Sequence, residues 1–131
     1  MTRSIMTEIG SGELIDKITI LEIKSKRIAD EEKLKNVKHE LSVLSATRDA
    51  HLGGIDGLSD LATQLKAINE ALWEIEDQIR ACEAQNDFGQ KFIDLARAVY
   101  ITNDKRATLK KEINLLTGAT IIEEKSYTDF A

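Results

Sequence analysis

The sequence has no proline, a single cysteine and few aromatic residues, and each shortage excludes a class of structure. Without proline, the 131 residues lack the commonest interruption of an α-helix. One cysteine excludes a disulfide framework within the chain and, with no signal-like apolar segment after the start, predicts a cytoplasmic protein. Aromatic side chains make up only 5% of the residues, so we expect a core of Leu, Ile, Val and Ala. No apolar run approaches the ~20 residues of a transmembrane helix, so we expect no membrane partner.

Charged residues are plentiful but of mixed sign. The chain has 18 Lys and Arg against 23 Asp and Glu, which gives a net charge of −5, and the basic residues are spread among the acidic ones. This distribution argues against nucleic acid and against an anionic membrane surface as the main partner, because both attract a basic face. Hydrophobic residues at 42% beside charged residues at 31% indicate a chain of amphipathic helices. The length suits a single helical domain over residues 1–131.

A heptad pattern dominates the middle of the chain and predicts a long helix over residues 58–84. Apolar residues recur there at alternating spacings of four and three, which is typical of a helix that packs along its length against other helices. The seam consists of Leu61, Leu65, Ile68, Leu72, Ile75, Ile79 and Cys82. Because seams on helices of this length commonly pair with a second copy, we expect a homo-oligomer, in the simplest case a homodimer.

Helical spacing also covers residues 12–28, with Ser11 as the expected N-cap. The apolar register slips by one residue near Asp30, which predicts a kink or a change of partner there, with Asp30 capping a second helix. That helix runs towards residues 51–57, where three glycines indicate a turn between helices.

A last helix is predicted over residues 88–117, with Gly118 as its left-handed C-cap. Weak β-like patterns at residues 5–9 and 120–122 favour a short two-stranded ribbon formed by the termini. The predicted fold class is all-α: an antiparallel helical bundle or long helical hairpin with coiled-coil-like seams.

The apolar seam of the last helix is interrupted by a polar layer that consists of Tyr100, Thr102, Asn103 and Arg106. An Arg in such a place needs a partner, because an unpaired buried charge costs on the order of several kcal/mol. In one interpretation, Arg106 forms a structural ion pair, with Glu74 or Asp77 as its partner, that fixes the helix register. In the other, the layer belongs to a pocket that binds a carboxylate or a phosphate through the guanidinium fork.

The polar side of the first helix offers further candidates, Glu13, Asp16 and Lys17. One interpretation is a solvated face with local charge pairs, such as Glu13 with Lys17 at i,i+4. The other places these residues at an anion-attracting helix N-terminus, next to the tail residues Glu123, Glu124, Lys125 and Tyr127. The candidate ligand-binding residues are therefore Glu13, Asp16, Lys17, Tyr100, Asn103, Arg106, Lys125 and Tyr127.

The remaining reactive residue types form no recognisable site. No His, Cys or carboxylate grouping has the spacing of a metal site or of a nucleophile triad, so we predict neither a metal nor a cofactor and name no catalytic residue. Cys82 lies on the heptad seam and is expected to be a small core residue. Trp73 lies beside the seam, where it anchors either the core or an interface, or else stacks on a ligand.

Five blocks of the sequence resemble a bacterial family of small helical proteins of unknown function: GELIDKITILEIKSKRI, NVKHEL, LWEIEDQIR, FIDLARAVYITNDKRATLKKEIN and EEKSY. The resemblance extends over most of the chain, and it implies a cytoplasmic bacterial protein linked to genes for surface polysaccharide assembly. It supplies no catalytic residue. Its recurrent polar positions correspond to Glu13, Asp16, Lys17, Trp73, Arg97, Asn103, Asp104, Arg106, Glu124, Lys125 and Tyr127.

Two functions of different classes are consistent with these patterns. The first is an oligomeric interaction or accessory module, favoured by the heptad seams. The second is a helical-bundle enzyme or small-molecule binder with an anion pocket, in which Arg106 and Asn103 supply donors and Tyr100 a hydroxyl. The surroundings of Arg106 discriminate between them, because a guanidinium that protein carboxylates fully neutralise has little attraction left for an anion.

Overall fold

Four α-helices make up the computed structural model, which describes residues 2–130. They are α1 (Ser11–Arg27), α2 (Glu31–Leu52), α3 (Leu58–Ala84) and α4 (Gln90–Thr117). No strand occurs within residues 2–130, so the predicted all-α class is confirmed. None of these four helices is long and apolar enough to cross a membrane.

Of the three helix caps predicted from the sequence, two are confirmed. Asp30 caps α2 by accepting a hydrogen bond of 3.0 Å from the Lys33 amide. Gly118 ends α4 with a φ of 70°, a left-handed conformation that glycine adopts without strain. The prediction of Ser11 as an N-cap is wrong, because Gly10 holds that position and Ser11 is the first helical residue.

Close contact with α4 explains why glycine flanks the start of α1. A Cβ atom at Gly12 would lie 2.3 Å from the carbonyl oxygen of Lys110, so only glycine lets the two backbones come this close. The Gly12 amide donates a hydrogen bond of 2.7 Å to Oδ1 of the buried Asn114. Asn114 thereby accepts from one of the amides that a helix N-terminus leaves without an intrahelical partner. The start of α1 is thus fixed against the last turns of α4.

The central element of the fold is α1, which contacts all three other helices, whereas α2 packs chiefly on α1. A short turn joins α3 and α4 into an antiparallel hairpin, which agrees with the expected helical hairpin. The apolar core lies where α1 meets this hairpin, and it contains Ile15, Leu58, Leu65 and Ile113. Cys82 is buried, as expected of a seam residue.

The expected two-stranded ribbon is absent from residues 2–130, so that prediction is wrong. The two segments do approach each other, because the Thr120 hydroxyl donates to the Glu8 carboxylate at 3.0 Å. A lone two-stranded ribbon is only marginally stable in water. The C-terminal tail, residues 119–130, is held instead by side-chain ion pairs with α4, in which Lys110 and Lys111 contact Glu123 and Glu124.

Candidate functional site

Asp16 is the centre of a buried polar cluster between α1, α3 and α4. It is only 1% exposed, although a carboxylate is ordinarily found at the surface. Arg106 of α4 donates two hydrogen bonds to it, from Nε to Oδ1 at 3.0 Å and from Nη2 to Oδ2. Such bidentate pairs are among the strongest charge-assisted hydrogen bonds. The pairing offsets the cost of removing the Asp16 carboxylate from water.

Neutral side chains complete the hydrogen bonding around Asp16. Nδ2 of Asn69, on α3, lies 2.9 Å from Oδ1 of Asp16 and 2.9 Å from Oγ1 of Thr19. The Thr19 hydroxyl in turn donates to the backbone carbonyl of Asp16 at 2.8 Å. Within residues 2–130, no buried side-chain nitrogen or oxygen lacks a hydrogen-bond partner. Three helices therefore meet at a polar cluster whose groups are all satisfied.

Lys110 lies one helical turn after Arg106 and extends the cluster towards the surface. Its Nζ is 2.8 Å from Oε2 of Glu13, 3.3 Å from Oε2 of Glu123 and 3.8 Å from Oδ2 of Asp16. Burial by itself lowers the pKa of Lys110. The hydrogen bond to Glu13 and the surrounding carboxylate charges outweigh that effect, so the pKa of Lys110 lies above its ordinary value. This ammonium is therefore charged at neutral pH.

The pKa values of Arg106 and Glu123 are also shifted in the direction that favours the charged form of each side chain. The hydrogen bonds to Asp16 raise the pKa of Arg106, although burial opposes this. The pKa of Glu123 lies below its ordinary value, first because Lys125 hydrogen-bonds to it and then because of the nearby Lys110 charge. Each shift favours the charged form, so the cluster and the tail are held together by ionised groups at neutral pH.

The predicted partner of Arg106 is wrong. Arg106 pairs with Asp16 of α1 and not with Glu74 or Asp77 of α3. The reason is that α1 lies along both helices of the hairpin and presents Asp16 at the level of Arg106. Glu74 contacts α1 as well, through an ion pair with Arg27.

The interpretation of the first helix as carrying a solvated polar face is also wrong for most of its candidates. Asp16 is buried, and Glu13 is half-buried against Lys110 of α4. The expected Glu13–Lys17 pair does not form, and Lys17 is exposed. The helical spacing of these residues, away from the apolar stripe, predicts that they are exposed to solvent. In the structure, α4 covers that side of α1.

A cleft of about 580 Å³, which we name the tail cleft, lies between α4 and the C-terminal tail. Five of the eight candidate ligand-binding residues line it, namely Tyr100, Asn103, Arg106, Lys125 and Tyr127. Glu13 lies in an adjoining cleft of about 330 Å³ that shares Lys110 and Lys125 with the first. The remaining two candidates lie apart, because Asp16 is buried beneath Arg106 and Lys17 is exposed.

Each basic side chain that lines the tail cleft already has a carboxylate partner. The pairs are Arg106–Asp16, Lys110–Glu13 and Lys125–Glu123. The Arg106 side chain is 30% exposed and bonds to Asp16 through one N–H each of Nε and Nη2, which leaves three of its five N–H groups without a bond to Asp16. Within residues 2–130, no three His, Cys, Asp or Glu side chains are grouped to hold a metal ion. The tail cleft thus offers hydrogen-bond donors without a surplus of positive charge.

Trp73 lines a separate cleft of about 490 Å³, into which Arg106 also extends. The guanidinium of Arg27 lies 5.9 Å from the centre of the Trp73 ring and donates a hydrogen bond to Glu74. Trp73 therefore contacts the C-terminal end of α1 from α3 while one side of its ring lines the cleft.

Three residues of the cluster are absent from the candidates that the sequence offers: Thr19, Asn69 and Lys110. Two of them had a usable pattern. Lys110 follows Arg106 by four residues and so lies on the same helix face. Asn69 follows Leu65 by four residues, where the heptad helix would accept another apolar side chain. Thr19 has no such spacing, since its contact with the cluster depends on how α1 packs against α3. Glu123 does lie beside the first-helix candidates, as the second interpretation of that helix expects, through Lys110.

Comparison with known proteins assigns a family but no activity. Residues 5–130 match a family of unknown function, DUF6165, and the chain belongs to this family. The resemblance to a family of unknown function is thereby confirmed, while the bacterial origin and the link to polysaccharide genes stay predictions. No curated protein and no solved structure matches the chain. Its function has to be inferred from its geometry.

Proposed function

We propose that this member of the DUF6165 family is a helical interaction module that works as a homo-oligomer, in its simplest form a dimer. The observation that carries the proposal is the exposed surface. The chain exposes 9241 Å², whereas a compact monomer of 14.6 kDa exposes about 6,900 Å². The difference is about 2,300 Å². It exceeds the roughly 800 Å² that each partner buries in a typical stable interface.

The irregular ends contribute to this surface, and so do apolar positions of the helices. Leu65 of α3 and Ile113 of α4 are 0% exposed where α1 lies over the hairpin. Further along the same two helices, Ile75, Ile79 and Phe92 are only half-buried. Contact with a second chain would remove such side chains from water, at about 25 cal/mol per Å² of apolar surface.

Sedimentation equilibrium on the full chain tests the proposal. We expect a species of twice the 14.6 kDa chain mass that dissociates on dilution. A single species of 14.6 kDa at all concentrations up to the millimolar range would overturn the homo-oligomer.

A second candidate function is the binding of a small ligand in the tail cleft. The observation in its favour is that five candidate residues converge on a volume of about 580 Å³, within the range of small-molecule sites, roughly 300–1,000 Å³. The pairing of every lining cation with a carboxylate disfavours a dianion. An incoming phosphate would have to compete with Asp16 and Glu123 for Arg106 and Lys125. For this reason the interaction module is the preferred function.

A thermal-shift titration with inorganic phosphate, sugar phosphates and aromatic acids tests the second candidate. A ligand at 100 times its Kd stabilises the folded state by about 2.7 kcal/mol, which raises the melting temperature by several degrees. If the ligand occupies the tail cleft, Asn103→Ala should abolish the shift, whereas Lys17→Ala at the exposed site should retain it. A shift that both variants retain would place the ligand elsewhere, and a flat panel would leave the interaction module as the remaining proposal.

A further inference from the structure

The hairpin of α3 and α4 extends well beyond α1. Gly12 lies against Lys110 near the C-terminal end of α4, and at the other end of α1 Arg27 pairs with Glu74. From that ion pair, α3 continues to Ala84, a distance of about 15 Å at 1.5 Å per residue. We name this uncovered part, residues 75–98, the distal hairpin. Because α1 ends at Arg27 and α2 packs chiefly on α1, the far end of the hairpin lacks the third helix that meets α3 and α4 around Asp16.

Apolar side chains of the distal hairpin are incompletely buried. Phe88 and Ile93 are about half exposed, whereas Cys82 is buried between the two helices. The other seam residues there are half-buried, namely Ile75, Ile79, Phe92 and Leu95. Two helices cannot enclose a seam by themselves, whereas four helices packed side by side can, as in four-helix bundles.

We infer that a second copy of the chain docks its distal hairpin against this one, so that the four helices form a bundle about a two-fold axis. The inference rests on the proposed homo-oligomer and adds the surface through which it forms. A two-fold interface brings the same surface of both chains together, so that surface has to pack against a copy of itself. The exposed apolar side chains of the distal hairpin can do so. The distal hairpin also carries charges of both signs, Lys91 and Arg97 together with Glu76 and Asp77, so no single-sign field opposes contact.

The outer face of α2 is a competing surface, since Val43 is exposed there. Two observations favour the distal hairpin. The apolar side of α2 packs on α1 and buries Val37 there, although Leu34, Leu41 and Leu44 stay half-buried. The distal hairpin also carries two phenylalanines, Phe88 and Phe92, whose rings meet edge to face at 5.4 Å, whereas α2 has no aromatic residue. Aromatic side chains are enriched where proteins associate.

A pair of matched substitutions tests the inference. Ile93→Glu and Val43→Glu introduce the same charge at residues that are 47% and 49% exposed, one on each competing surface. Sedimentation of the full chain, with far-UV circular dichroism as the folding control, compares their self-association with that of the wild type. We expect Ile93→Glu to raise the dimer Kd at least about tenfold and Val43→Glu to leave it nearly unchanged. Phe88→Asp, in the turn before α4, is a second variant that alters neither helix, and we expect the same loss from it.

The outcomes separate this inference from the proposal on which it rests. A wild-type chain that is monomeric at every concentration overturns both. A dimer that Val43→Glu dissociates, while Ile93→Glu and Phe88→Asp do not, overturns the distal hairpin as the interface and leaves the homo-oligomer standing. A dimer that resists all three substitutions likewise overturns the distal hairpin as the interface and leaves the homo-oligomer standing. Loss of the dimer in both hairpin variants, with Val43→Glu unaffected, supports the inference.

Discussion

The carboxylate of Asp16 and the guanidinium of Arg106, 90 residues apart in the chain, form a two-point ion pair in the interior of the fold. The pair is asymmetric, because the Asp16 side chain is 1% exposed and that of Arg106 is 30% exposed. A charge left alone at Asp16 has no access to water. A charge left alone at Arg106 can turn towards the tail cleft and be solvated there. The two residues should therefore respond differently to substitution.

Arg106→Leu should lower the free energy of unfolding by about 3–5 kcal/mol, because it leaves the buried Asp16 without its principal counterion. Asp16→Leu should cost less, since Arg106 can reach solvent. The double variant should be more stable than the two separate losses predict, because replacing a whole buried ion pair by apolar residues is often nearly neutral. Urea unfolding of the four proteins at one fixed concentration measures this coupling, and strictly additive losses would contradict it.

A second prediction concerns the contact between α1 and α4. Gly12→Ala should lower the free energy of unfolding by about 1–3 kcal/mol, because the new Cβ would overlap the Lys110 carbonyl oxygen and force the helices apart. Gly89→Ala is the control: its nearest new contact is 3.4 Å, with a side-chain oxygen of Asp87, and only the loss of up to about 1 kcal/mol that alanine causes at a helix N-cap is expected. Thermal and urea unfolding give the comparison. Stabilisation by Gly12→Ala, the usual result inside a helix, would show that the backbones are not in close contact.

Local patterns were sufficient to predict the elements of this fold. The heptad spacing placed α3 at residues 58–84, as observed, because a long uninterrupted seam has no alternative helical register. Asp30 and Gly118 marked helix ends because a cap depends only on the neighbouring backbone. Ser11 failed as a cap because the start of α1 is determined by α4, through the close approach at Gly12.

The candidate site was predictable only in part. A polar layer around Arg106 was visible as a gap in an apolar seam, and five of the predicted residues do converge on one cleft. The partner of Arg106 could not be predicted from the sequence, since any acidic residue on a neighbouring helix could supply the carboxylate that its guanidinium needs. Choosing Asp16 over Glu74 requires the positions of α1 and α3 relative to α4, which no local spacing contains.

A third prediction uses Trp73, the single tryptophan of the chain, as a reporter. Arg27→Ala should shift its fluorescence maximum to longer wavelength, because it removes the guanidinium that lies 5.9 Å from the ring centre and opens the ring to water. The loss of stability should stay below about 1 kcal/mol, as is usual for exposed ion pairs. Arg80→Ala is the control, since Arg80 lines the same cleft but pairs with Glu76. Equal shifts in both variants would mean that Arg27 does not cover the ring.

The last prediction is that the attachment of the tail depends on pH. Because the pKa of Glu123 is lowered in the folded chain, its contribution to tail attachment is complete above the ordinary pKa, near 4.5, and is lost as the pH falls through the lower folded value. Because the pKa of Lys110 is raised, its contribution is complete below the ordinary pKa, near 10.5, and is lost as the pH rises through the higher folded value. Attachment should therefore be constant between these limits and weaken beyond either.

The contact between the rings of Tyr100 and Phe130, at 5.4 Å, reports on this attachment by nuclear Overhauser effects. We expect the wild type to retain the contact at pH 6 and to lose it in acid below about pH 4, while circular dichroism shows the helices intact. Glu123→Gln should weaken the contact already at pH 6, because the amide lacks the charge that Lys110 and Lys125 stabilise. Glu124→Gln, whose partner is Lys111, serves as the matched comparison and should weaken the contact less, because its ion pair with α4 is more exposed to water than that of Glu123. If Glu123→Gln and the wild type lose the contact over the same pH range, another group governs the attachment of the tail.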